Sequence, residues 1–294
     1  TDLETCHFEY PGSTHAIRSR SSGLCHIRNT EEQAYSGKRS LKLTVAGAQS
    51  GEENFFYKQT YYSAQAFSDS RYDPFFAPLV YPGQRVSLSL LPLPTPGMAV
   101  SARIYAKNGA TGEILRGEPV EADGVWHRLT LDLPGGQTGW IQEVGVILLG
   151  RAGGFAQGDL TAYLDDLTLE GVPDYRVDFS QLELDCWTGL HREVPQFGRL
   201  KGHTYLDGSW MSLSCGDFGE TYTGHHGWED LSVTCTLRPQ TGEIHLLLAR
   251  VQGAMRSYGV GFFGEGKVAL VKNHKGYRVL AQREFPWQRD REYR

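Results

Sequence analysis

Near the C-terminal end, Arg250 and Gln252 stand two positions apart, followed by Arg256 with Tyr258 and Lys272 with His274. On neighbouring strands of one sheet, these pairs would place Arg, Gln, Tyr and His on a common face. Such a face has the parts for β-elimination from a uronate. Arg or Gln neutralises the carboxylate, and Tyr or His moves the proton from the acidified carbon. Arg250, Tyr258 and His274 would carry that reaction. Two other roles suit the same pattern. One is a binding groove for an anionic sugar or ADP-ribose, with Arg250 and Gln252 as contacts and Arg gripping phosphate. The other is a polar face that is solvated or packed on a neighbouring domain. Pattern alone does not make the side chains converge.

Other chemistry is excluded more directly. The chain has no GxSxG, HExxH, P-loop or dinucleotide glycine fingerprint. The run Gly259-Val-Gly-Phe-Phe-Gly264 spaces its glycines suggestively, but it reads as sheet rather than as the opening of a helix. His225 and His226 point apart in a turn and lack a third ligand nearby. Asp165 and Asp166 are strand neighbours facing opposite sides, so they are no glycosidase pair. An aromatic stretch between Glu53 and Pro82 breaks the strand rhythm and carries Tyr61, Tyr62 and Tyr72. Rings on a loop over a rigid scaffold suit sugar stacking, although many such rings only pin the loop down. Trp140, in a loop, joins them as a candidate contact, whereas Trp126, Trp210 and Trp228 open strands and read as structural.

The elements that must position these residues are strands. The chain has 294 residues, 35 of them Gly, with 12% aromatics and no sustained helical stripe. Ser40–Val45 alternates strictly, with Leu41, Leu43 and Val45 facing inward. The segments 84–90, 100–105 and 126–133 repeat that pattern, while 143–149 is continuously apolar, as a central strand would be. The segment 160–169 is expected to put Tyr163, Asp165, Leu167 and Leu169 on one face. An inward acid there needs a partner, and a cation is the usual one. Pro173 then marks a linker. Further strands are expected at 208–214, 228–235, 243–251, 257–262 and 267–272.

A net charge of −5 argues against a nucleic-acid surface, and no apolar run is long enough to span a bilayer. The five cysteines show no zinc spacing. Cys215 and Cys235 are expected to face a sheet core, and Cys6 with Cys25 is the one conceivable disulfide. The usage leans toward a cytoplasmic, reduced compartment. The chain opens without Met and stops where a strand begins, so it reads as part of something longer.

The segments Cys6–Tyr10, Tyr35–Leu43 and Ala162–Leu169, in that order and at that distance, resemble the opening, second and closing strands of galactose-binding-like jelly rolls. These occur as carbohydrate-binding modules beside glycoside hydrolases. The resemblance covers roughly residues 8–171 and implies a structural calcium. Its ligands would be Glu9, a main-chain carbonyl at Lys38, and Asp165. The alternative is that Glu9 and Asp165 are strand-end carboxylates satisfied by backbone N–H groups or by Lys and Arg. The segments 249–252, 256–258, 267–272 and 277–280 look like a concanavalin-like, laminin-G-type sandwich that needs more strands for completion. Together the two units are similar to the accessory β region of bacterial ADP-ribosylglycohydrolase-type proteins. That family's helical, metal-binding catalytic domain has no counterpart here.

The expectation is an all-β chain of two tandem β-sandwiches, a jelly roll over 1–171 and a concanavalin-like sandwich over 172–294. The function expected is non-catalytic binding of a glycan or glycan-like ligand for a catalytic domain in the same polypeptide. The alternatives are the lyase above and a purely structural or oligomerising pair.

Overall fold

The structure is a computed structural model. It describes residues 6–60, 80–152, 157–178, 188–189, 203–207, 210–214, 219–224, 228–253 and 255–294. Chain contacts divide it into two compact units, Thr1–His225 and His226–Arg294. Among the described residues every regular element is a strand. Among them no helix is long and apolar enough to cross a membrane.

The first unit contains β1 (Ile17–Arg20), β2 (Leu24–Thr30), β3 (Ser40–Gln49), β4 (Glu53–Gln59), β5 (Arg85–Leu93), β6 (Ala99–Asn108) and β7 (Ile114–Arg116). It continues with β8 (Val120–Glu121), β9 (His127–Asp132), β10 (Gln137–Thr138), β11 (Ile141–Arg151), β12 (Gln157–Glu170) and β13 (Tyr175–Arg176). Two sheets result. One runs β1-β4-β11-β6-β7, with β8 also on β6, and the other runs β2-β3-β12-β5-β9. The consecutive strands β11 and β12 are thus the central strands of opposite sheets.

Alternation explains the layering. Phe56, Ala102, Ile104, Val144, Val146 and Leu148 from the first sheet meet Leu41, Leu43, Val45, Leu88, Leu90, Ala162 and Leu164 from the second, all fully or almost fully buried. The expected inward set on β3 is therefore correct, and the continuously apolar segment 143–149 is a central strand. The chain past Pro173 remains tied to this unit, because β13 pairs in parallel with β10 and Tyr81 packs on Tyr175 at 4.4 Å between ring centroids.

The closing strand departs from its expected facing. Tyr163 pairs in register with Lys42 and Leu91 on the outer face, while Ala162 and Leu164 point inward. The register then shifts between Asp165 and Thr168, opposite Ser89 and Ser87. Asp166 takes a left-handed φ of 51° at this bulge. One extra residue switches faces, so Leu167 returns to the core although Tyr163 lies outside. A simple period-two reading carries no information about such an insertion.

Short ladders follow in β14 (Thr188–Gly189) with β17 (Thr221–Tyr222), and β15 (His203–Asp207) with β16 (Trp210–Ser214). The second unit is an antiparallel meander of β18 (Ile244–Ala249), β19 (Arg256–Phe263), β20 (Lys267–His274) and β21 (Tyr277–Glu284). Phe262 stacks on Trp287 at 5.0 Å and meets Tyr293 edge-on at 4.9 Å, which folds the C-terminal segment onto the sheet. The segment 228–235 is not a strand. Its backbone gains no ladder partner, and Cys235 and Val233 are exposed rather than facing a core. Cys6 and Cys25 are not joined in a disulfide, and Cys215 lies outside the described residues.

Gly145 shows how tightly β11 is held between its neighbours. A Cβ added there would lie 2.0 Å from the Phe56 carbonyl oxygen and 2.7 Å from the Tyr57 Cα. Backbone on both counts leaves nothing flexible to give way. Gly145→Ala is expected to destabilise the unit by about 1–3 kcal/mol, measured as a lower denaturation midpoint at unchanged m-value.

Candidate functional site

Two places in the first unit gather polar side chains under structural constraint. The first is the outer face of the β1-β4-β11-β6-β7 sheet. Register fixes its rows: Arg18, Tyr57, Gly145, Tyr105 and Arg116 form one, and Arg20, Phe55, Ile147 and Arg103 form the next. Gln59, Glu143 and Lys107 continue the face on the other side of the first row. Glycine at 145 leaves the floor between Tyr57 and Tyr105 without a side chain. Phe55 meets Tyr105 edge-on at 5.2 Å between centroids. The Arg20 guanidinium sits 4.6 Å from the Phe55 centroid and 5.2 Å from that of Tyr57.

Glu143 ties this face together. Its carboxylate is buried, accepts from both terminal nitrogens of Arg20 at 3.5 and 3.3 Å, and accepts the Tyr105 hydroxyl at 3.1 Å. Lys107 Nζ approaches to 3.8 Å. Burial and then the Glu143 charge push the Tyr105 phenol above its ordinary range, so it stays a donor. Burial works against the Arg20 charge, but Glu143 outweighs it and raises the guanidinium further. The result is a surface of two half-buried rings, Phe55 and Tyr57, beside a fully buried Tyr105, with a fixed donor and acceptor set. Rings of this kind offer stacking surface to the C–H face of a sugar, and such donors and acceptors suit its hydroxyls.

The second place is the turn 35–39. Asp165 Oδ2 accepts the Tyr35 and Ser36 amides at 2.9 and 3.0 Å, and Oδ1 accepts that of Asp166 at 2.8 Å. Glu9 accepts the Lys38 amide at 3.0 and 3.2 Å and the Arg39 amide at 3.1 Å. Two carboxylates far apart in the chain therefore clasp one turn. Gly37 sits at its centre with φ of 62°, and a Cβ there would lie 2.3 Å from Glu9 Oε1. Asn29 supports the approach of Glu9 by donating to the Phe8 carbonyl at 2.7 Å.

Backbone N–H groups thus take three of roughly four acceptor sites on each carboxylate, as the strand-end alternative expected. They do not neutralise the charge. Asp165 is fully buried, and no Lys, Arg or His among the described residues lies within ion-pair distance of it. Burial pushes its carboxyl pKa up against the three N–H bonds. By contrast, Asp166 is paired with Arg128 at 2.9 Å and His7 at 2.9 Å. No cluster of three or more His, Cys, Asp or Glu side chains occurs among the described residues. A cation at Asp165 and Glu9 would therefore need main-chain carbonyls such as that of Lys38, and water, to complete its shell. A hard, oxygen-seeking ion suits this donor set.

The remaining expected residues are scattered. Tyr61, Tyr62 and Tyr72 lie outside the described residues. Trp140 is half-buried, its indole laid on Gly109, where an added Cβ would come within 2.3 Å of Nε1. Arg250 and Gln252 do not share a strand face, because β18 ends at Ala249. Arg250 takes a left-handed φ of 52°, and Gln252 N–H bonds the Arg256 carbonyl at 2.8 Å to close the hairpin. Tyr258 is 38% exposed and pairs in register with Lys272, whose Nζ lies 5.5 Å from its ring centroid, while His274 pairs with Arg256. Sequence reasoning missed Arg20, Tyr105 and Glu143. The alternation Glu53, Phe55, Tyr57, Gln59 signals β4, where the aromatic stretch from Glu53 begins as a strand and not as the expected break in the strand rhythm.

No protein-family model matches the chain, and no curated protein matches it. Solved structures do. A carbohydrate-binding module of the β-sandwich superfamily matches at 20% identity and a TM-score of 0.39, over 56% of this chain and 61% of that one. The CBM22-1 xylan-binding domain of Paenibacillus barcinonensis Xyn10C matches at 18% and 0.34, over 57% and 92%. TmCBM61, in complex with β-1,4-galactotriose, matches at 16% and 0.31, over 57% and 93%. The ligands of these proteins do not transfer on a likeness of this size.

Glu143→Ala would leave the buried Tyr105 hydroxyl without its acceptor and is expected to cost about 1–3 kcal/mol. Adding Tyr105→Phe removes that demand. The double variant is therefore expected to be less destabilised than the sum of the singles, measured by chemical denaturation in a double-mutant cycle.

Proposed function

We propose that the first unit is a non-catalytic carbohydrate-binding module, and that the outer face of the β1-β4-β11-β6-β7 sheet is its glycan groove. One observation carries this reading. The half-buried Phe55 and Tyr57 and the fully buried Tyr105 lie around the side-chain-free position at Gly145, and a buried Glu143 holds Arg20 across the Phe55 and Tyr57 rings. An extended sugar chain lying across the strands finds aromatic surface for its apolar faces and preset hydrogen-bonding groups for its hydroxyls. The groups are held before the ligand arrives, which limits the ordering cost of binding.

The turn 35–39 supports the reading from the other sheet. We assign Glu9, Asp165 and the Lys38 carbonyl to a structural calcium, on the ground that the fully buried Asp165 meets no cationic side chain among the described residues. The sequence resemblance adds that the chain serves a catalytic hydrolase domain in the same polypeptide. On the β18–β21 sheet Tyr258 and His274 share a face, but Arg250 lies beyond the end of β18, so the lyase trio is not assembled there.

Affinity electrophoresis in gels containing xylan, β-1,4-galactan or mixed-linkage glucan tests the binding role. At least one polymer is expected to retard the protein. Tyr57→Ala removes a half-exposed ring, and its affinity is expected to fall about tenfold, which corresponds to roughly 1.4 kcal/mol of lost contact. Normal migration of the wild type in every gel would refute the assignment.

The cation is tested by heating the protein with excess calcium and with a chelator at several pH values. Without a cation, burial favours the protonated form of Asp165. Its contribution to stability is then present at low pH and is lost as pH rises above the ordinary 3.8 toward the raised folded value. A bound calcium favours the carboxylate instead. The calcium-induced rise in melting midpoint is expected to be largest near neutral pH, to shrink toward pH 4, and to vanish in Asp165→Asn.

A further inference from the structure

We infer that the groove prefers glycans carrying carboxylate groups, with Arg103 as the residue that recognises them. This rests on the glycan-binding reading of the same face. The protein carries a net charge of −5, yet this face is cationic. Register places Arg18, Arg20, Arg103, Lys107, Arg116 and Arg151 on it against Glu53, Glu121 and Glu143. Cations outnumber carboxylates two to one on the sheet face of an acidic chain.

Most of these charges are engaged. Arg20 and Lys107 reach Glu143, Arg116 reaches Glu53 at 2.9 Å, and Arg18 donates to Gln59 at 3.3 Å. On the opposite sheet, Arg28 and Lys42 both close on Glu32. Arg151 stands exposed at a strand end, where water solvates it. Arg103 differs from all of these. It is half-buried on the central part of β6, two residues from Tyr105, and no acceptor engages it among the described residues. Ile147, beside it in the row, is almost fully buried, so the stem of Arg103 lies against apolar floor. Phe55 follows two strands away, about 10 Å across the sheet.

A guanidinium kept partly from water, with no counter-charge among the described residues, is suited to partner an anion. Its planar fork of N–H groups matches a carboxylate through two parallel bonds. A sugar stacked on Phe55 or Tyr57 would bring a uronate of the same chain, or of a side branch, within reach of it. The class recognised is thus a uronate-bearing polysaccharide.

Affinity electrophoresis with glucuronoxylan and with a uronate-containing pectic galactan, each before and after chemical reduction of its carboxyl groups, tests this. The wild type is expected to bind the acidic form about tenfold more tightly than its reduced counterpart, with the difference shrinking as salt rises. Arg103→Gln, with its melting midpoint confirming the fold, is expected to abolish the difference, and Arg103→Lys to keep part of it. Equal retention before and after reduction would overturn the preference and leave the glycan groove standing. A preference that survives in Arg103→Gln would overturn the assignment to Arg103. Tighter binding of a sulfated derivative than of the uronate form would overturn the carboxylate class. Failure of the wild type to bind any of the four polymers would overturn both the preference and the groove.

Discussion

A carboxylate removed from water must be met by donors or by opposite charge, and the central strand of each sheet carries one such group. Glu143 on β11 is met on the outer face of its sheet by Arg20, Tyr105 and Lys107. Asp165 on β12 is met by three backbone amides, those of Tyr35, Ser36 and Asp166. Burial raises the stakes at both positions, since unmet charge in a low-dielectric setting costs far more than exposed charge. The surrounding structure is arranged around meeting them. Arg20 comes from the edge strand β1 and crosses β4 to reach Glu143. The 35–39 turn comes from the loop before β3 and presents two amides to Asp165.

These two solutions have different chemical consequences. Glu143 is satisfied by side chains and by charge, so its neighbourhood is a set of rigidly placed donors and rings. Such a set is pre-organised for a ligand with hydroxyls and apolar faces. Asp165 is satisfied by dipoles alone, so its negative charge is left uncompensated by any side chain described here. A turn held this way is stiff but electrically open. Glu9 on the same turn adds a second carboxylate, which likewise takes its hydrogen bonds from the backbone.

The groove face also separates shape from charge. Tyr57, Gly145 and Tyr105 form a strip whose width comes from strand spacing and the missing side chain at 145. Arg103, a row away, has no acceptor among the described residues. A residue of this kind is free to tune which polymers the strip accepts without altering how they lie. The second unit offers no comparable focus. Its Tyr258 and His274 share a sheet face, but Arg250 turns away in a left-handed hairpin residue.

Alternation and composition made much of the architecture legible. Leu41, Leu43 and Val45 announced an inward face, the apolar run at 143–149 announced a central strand, and abundant Gly with scattered aromatics announced sheets. The spacing of the Glu9, Ser36-Gly37 and Asp165 segments pointed to one corner, and the fold brings them to one turn. What alternation alone left out were insertions and convergence. The bulge after Asp165 reverses the facing of Tyr163 relative to Leu167, and the hairpin at 250–252 breaks a strand that composition favours. Residues 228–235 alternate yet find no ladder, because a strand exists only where a neighbour accepts its hydrogen bonds. Arg20, Phe55, Tyr105 and Glu143 come from four different strands, so only sheet order and register made them neighbours. Local pattern decides which way a side chain points, but pairing across long stretches of chain decides what it meets.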